Sequence, residues 1–122
     1  MIIKIQWNTG NMVVDLDEFF PTTQRRAIAL FRLMHKDVQA DWENVREYFA
    51  EKVKAYNEHA DQVQHELDAL EAEYLNEKGY WMGDCVGNKN KAKVWTSDIR
   101  MNRKEAIRYK KYIDLFDVYV RG

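Results

Sequence analysis

Helix breakers are scarce in this chain: proline occurs once, as Pro21, and glycine five times in 122 residues. That scarcity points to helix. Cysteine is single as well. Cys85 cannot form an internal disulfide, so the expected setting is reducing and cytoplasmic. No apolar run approaches the ~20 residues that span a membrane. The opening MIIKIQWN has neither an apolar stretch of signal-peptide length nor a small-residue cleavage site. No membrane partner is expected.

Catalytic and metal signatures are missing too. The three histidines are His35, His59 and His65. His59 and His65 are six apart, which points them in different directions on a straight helix. No HExxH occurs, and Cys85 has no second cysteine for a zinc site. Gly79, Gly83 and Gly87 are too widely spaced for a dinucleotide or P-loop motif. Inward-facing Glu-x-x-His pairs of the di-metal bundle kind are absent. Asp84-Cys85 could hold a nucleophile, but that chemistry needs a positioned base and no pattern supplies one. The expectation is a non-enzyme with no metal and no cofactor.

What is present fits a soluble globular chain: 46% hydrophobic residues, 32% charged, and a net charge of -1. One domain over 1–122 is expected at this length. Its fold class reads as α+β, predominantly α. Residues 1–17 predict a β-hairpin, with Ile3, Ile5 and Trp7 alternating on one run and Met12, Val14 and Leu16 on the other. Asn8-Thr9-Gly10-Asn11 is the turn. Thr22 is the expected N-cap of a helix over 22–37, whose apolar positions Ala27, Leu30, Phe31 and Met34 recur at helical period.

The central element is a long helix over 41–78, stopped by Gly79. Phe49, Val53, Tyr56, Ala60, Val63, Leu67, Leu70 and Tyr74 step by four and three, a coiled-coil seam. Residues 79–101 read as a loop region, with a short strand at Val94-Trp95-Thr96. A last helix over 102–121 starts at the capping box Asn102/Glu105. The two helices are expected to form an antiparallel hairpin. The short last helix leaves part of the seam uncovered, so Phe49, Val53 and Tyr56 are the expected homodimer interface, or else the stripe that a monomer buries against its target.

Charge is sorted into blocks. Residues 41–77 hold eleven acids and three bases, while 89–111 hold nine bases and two acids. In the expected hairpin the acids of 66–77 face the bases of 103–111, which offsets adverse helix-dipole placements at both ends. The bases left over, with a nearby aromatic, form the candidate binding surface for a partner or nucleic acid: Lys89, Lys91, Lys93, Trp95, Arg100, Arg103, Lys104, Lys110 and Lys111. Trp42, Tyr80, Trp81 and Trp95 could add a stacking platform, although a core role is commoner for such residues.

The functional expectation is a non-enzymatic binding protein that docks on a larger protein or nucleoprotein and modulates it. An inhibitor of a host defence nuclease, of the anti-CRISPR kind and carried by a phage or mobile element, is one concrete form. The alternative is direct DNA or RNA binding by the 89–111 block. An enzyme or small-ligand binder built on the Cys85 loop ranks third.

Overall fold

The computed structural model describes residues 1–7, 10–16, 18, 21–34 and 39–121; the side chains of residues 6, 7, 11, 39–42 and 121 lie outside that description. The chain runs β1 (Ile2–Trp7), β2 (Gly10–Asp15), α1 (Gln24–Leu33), α2 (Gln39–Tyr74) and α3 (Cys85–Phe116). A π-helical turn (Asp117–Arg121) continues α3. It divides into two compact units, Met1–Lys52 with Arg108–Gly122, and Val53–Ile107. The expected class holds: a two-stranded antiparallel sheet, then three helices, the long second one packed against the third in a hairpin.

In the first unit β1 and β2 pair in unbroken register from Ile2↔Asp15 to Trp7↔Gly10. Alternation sends Ile3, Ile5 and Leu16 inward, where all three are buried. Residues 8 and 9 of the expected turn lie outside the described residues. Gly10 belongs to β2 and its φ is not positive, so its place in the turn region does not rest on left-handed geometry.

α1 starts one residue later than expected. Thr23, with extended backbone, is the N-cap, and its side chain accepts from the Arg26 amide at 3.2 Å. Thr22 has another role: its carbonyl accepts from Arg108 Nη1 at 2.9 Å. Ala27, Leu30, Phe31 and Met34 are all buried, as the periodicity requires. Met34 also bridges to Ile5, so the end of α1 runs beside β1.

The centre of this unit is aromatic. Phe31 meets Phe49 and Phe116 edge-on, with centroids 5.7 and 5.3 Å apart. Phe49 also meets Tyr112 at 5.8 Å. Such pairs add about 0.5–1.5 kcal/mol each beyond burial. Phe49 is 0% exposed, so it cannot belong to an interface with a second molecule. The π-helical turn brings Val120 into the same core. Its Asp117 takes a two-pronged contact from Arg46, at 3.0 and 3.3 Å, and that bond and charge raise the Arg46 pKa further.

In the second unit the helical hairpin turns at residues 75–84. Asn76 organises the turn, its Oδ1 accepting from the amides of Lys78 and Tyr80. Gly79 adopts φ 84 and Gly83 φ 67. α2 stops at Tyr74, four residues short of the expected Lys78. Asp84 then caps α3: its Oδ1 accepts from the Gly87 amide at 3.2 Å and its carbonyl from the Asn88 amide at 2.8 Å.

The largest correction concerns residues 85–101. They are helix, not loop and strand, and α3 begins seventeen residues before Asn102. Asn102 is mid-helix, and its Nδ2 donates back to the Asp98 carbonyl at 2.8 Å, so it caps nothing. Gly87 looked like a turn, yet it is the capped residue; a Cβ there would meet the Asp84 carboxylate at 2.3 Å. The seam of α3 runs Asn88, Ala92, Trp95, Ile99, Asn102 and Ala106, all buried or half-buried, in steps of four and three. Two asparagines at seam positions hid that rhythm from the sequence. At 1.5 Å per residue α3 is ~48 Å long, not the ~30 Å of a helix over 102–121, so it reaches farther along the α2 seam than expected.

Candidate partner-binding surface

Because α3 starts at Cys85, the register of the hairpin differs from the expected one. Arg103 reaches across to α2, donating to Asn57 Oδ1 at 3.0 Å and pairing with Asp61. His59 Nε2 lies 3.0 Å from Asp98 Oδ2. The bases of 103–111 therefore do not face the acids of 66–77. Those acids lie near the turn, opposite the first turns of α3. The acids at the end of α2 remain adversely placed, with no base in its last turn, whereas Arg103, Lys104 and Arg108 now lie mid-helix and the carboxylate of Asp84 stands favourably at the α3 N-terminus. At Tyr74, the hydrogen bond and charge of Glu73 raise the phenol pKa.

The expected site residues separate into groups. On a helix that advances about 100° per residue, Lys89, Lys93, Arg100 and Lys104 fall within an arc of roughly 60°. All four are exposed, and none forms an ion pair among the described residues. They make a line of about 22 Å along the outer side of α3. Arg103 is half-buried and paired, so it ties the two helices together. Trp95 is half-buried on the seam side, where it packs within the hairpin. Lys91 is exposed but lies off the stripe. Lys110 and Lys111 are exposed in the other unit.

The rest of the second unit's surface is the complement. On α2 from Val53 to Tyr74 there are six acids and one base, Lys54. Glu58, Glu66, Asp68 and Glu73 are exposed. The two helices thus carry opposite charge on their outer sides. Each outer charge is worth little to folding, since exposed pairs contribute ~0–1 kcal/mol. Their arrangement matters for what approaches from solvent.

Val53 and Tyr56 are half-buried. The side chain of Trp42 lies outside the described residues. Tyr80 is 67% exposed at the turn, with Trp81 half-buried and Met82 exposed. Tyr80, Trp81, Cys85, Val86, Lys89 and Gly79 line a shallow cleft of about 360 Å³. The Cys85 thiol donates to the Gly83 carbonyl at 3.5 Å, and among the described residues neither histidine nor carboxylate lines that cleft. Among the described residues no three metal-ligating side chains gather, and no helix is long and apolar enough to cross a membrane.

Sequence reasoning missed a second surface. A groove of about 820 Å³ separates β2 from α1, lined by Ile5, Met12, Val14, Ala29, Leu30 and Leu33 among others. Its signal was present in the run GNMVVD, which places Met12 and Val13 side by side, so that both strand faces carry apolar residues. Comparison with known proteins finds no matching family model, no matching curated protein and no matching solved structure.

Proposed function

We propose that this is a non-enzymatic binding protein that docks on a larger protein or nucleoprotein through the α3 stripe. The observation that carries the reading is the set Lys89, Lys93, Arg100 and Lys104: aligned, exposed and without ion-pair partners among the described residues. Arg46 and Arg103 are each matched to a carboxylate. The stripe is an aligned basic surface along α3, and its complement is an acidic or phosphate-bearing face. Four phosphate contacts alone support only weak binding to duplex nucleic acid, which favours a partner that adds contacts of its own. Inhibition of a nucleoprotein nuclease is one form such docking takes.

The test compares two baits in a pull-down from cell extract: wild type, and a variant with Lys93→Glu, Arg100→Glu and Lys104→Glu. A partner retained by wild type and lost by the variant supports the stripe. Identical capture by both baits refutes it. Direct nucleic-acid binding is the second reading, favoured by the same stripe. It predicts that log K against log salt for a duplex oligonucleotide falls with a slope of roughly −3.6, from four contacts at 0.9 each.

A further inference from the structure

Among the described residues the sheet has an open side. β2 is an edge strand, and no described residue bridges to its outer edge. The Leu16 amide donates to the Met1 carbonyl at 2.7 Å. That bond sets the phase of the ladder, so Ile3/Val14 and Ile5/Met12 are the hydrogen-bonded pairs. Val13 falls between them, and its N–H and C=O point away from β1. Folded proteins guard such edges with lysine, proline or a bulge. β2 has no lysine or proline, and its register is unbroken. Instead Met12 is 50% exposed and Val13 59%. The groove of about 820 Å³ lies against the same strand. Among the described residues α1 packs on β1 and leaves the β2 side of the apolar face as a groove.

We propose that β2 pairs antiparallel with β2 of a second copy of this chain, giving a four-stranded sheet across a two-fold axis at Val13. The strand is self-complementary in that register. Val13 lies opposite Val13 of the copy, Met12 opposite Val14, and Asn11 opposite Asp15. The outward-pointing residues of each strand therefore meet one another, as reciprocal hydrogen bonding requires. No carboxylate faces a carboxylate, since Asp15 meets an asparagine position. The apolar positions Met12 and Val14 cover each other on the groove side. The two β1 strands then stand three spacings apart, about 14 Å. Their α1 helices flank one shared groove, with Ala29 and Leu33 turned into it. A second copy brings its own Met12 and Val14 and so covers the apolar positions of both edges at once, which is why it suits this edge better than a transient peptide. This interface is isologous, and it differs from the α2 seam that the sequence suggested.

Size exclusion with light scattering on the full chain tests the pairing. Wild type is expected at twice 14.6 kDa. Val13→Lys sets two ammonium groups opposite each other on the axis and is expected to run as a monomer with an unchanged circular dichroism spectrum. Val13→Thr, which keeps strand preference without charge, stays dimeric. Hydrogen exchange gives a measurement that needs no variant: the Val13 amide exchanges slowly in the paired state, although it points away from β1. A wild-type monomer overturns the proposal, and so does a dimer that survives Val13→Lys with its fold intact. A dimer dispersed by Val53→Glu in place of Val13→Lys overturns it as well. If Val13→Lys fails to fold, exchange decides: a Val13 amide as fast as an unpaired edge refutes the pairing, and a protected one supports it. A monomer that protects this amide only on adding an extended apolar peptide also refutes self-pairing.

Discussion

Gly83 holds a left-handed φ of 67, and a Cβ built there would lie 3.1 Å from the Tyr74 ring. Both constraints act against any side chain at this position. Gly83→Ala should lower stability by about 1–2 kcal/mol from the backbone alone, and urea unfolding would measure it. Gly79 shares the positive φ but has open space around it, so Gly79→Ala carries only the backbone part. Phe49 shows how a residue can be placed on the right face and given the wrong neighbours. Its heptad position was legible, but its partners Phe31 and Tyr112 come from α1 and from α3, far away in sequence. Phe49→Ala should cost about 3–5 kcal/mol as a core truncation, against much less for half-buried Val53→Ala. Similar losses for the two would place Phe49 at the surface instead.

At the scale of elements, α3 is the instructive case. Gly87, the asparagines Asn88 and Asn90 and the β-branched Val94 and Thr96 all argue locally against helix. Tertiary packing overrides them, because the Ala92, Trp95, Ile99 and Ala106 side meets the α2 seam. Asn88 is buried at the head of that seam and donates to the Met82 carbonyl at 2.9 Å, which locks the turn to the helix. Asn88→Ala leaves that carbonyl without its partner and should cost about 1–3 kcal/mol. Register is tested separately. Arg103→Glu should destabilise slightly, and Asp61→Arg in the same chain should recover part of the loss, with a coupling up to ~1 kcal/mol for this exposed pair. Glu71→Lys, which would rescue in the register the sequence suggested, should give no recovery with Arg103→Glu.

For the whole molecule, surface charge and folding are separable. Arg100→Glu with Lys104→Glu should change stability by no more than about 0.5 kcal/mol per site, since neither residue is buried and neither is ion-paired among the described residues. The same pair should weaken partner capture, so a thermal melt beside a pull-down distinguishes a binding role from a structural one. The sequence by itself determined the class of fold, the α1 apolar face, the heptad line of α2 and the division of charge. These depend on periodicity and composition, which are local properties of a chain. Only the tertiary structure decided where α3 begins: the Asp84 cap is local, but the asparagines at seam positions make sense only once α2 lies alongside. It also decided which bases stay in solvent: Arg103 was absorbed by Asp61, while Lys89, Lys93, Arg100 and Lys104 remained exposed. A one-dimensional charge count cannot separate these two fates, since pairing depends on which residue stands across the helical interface.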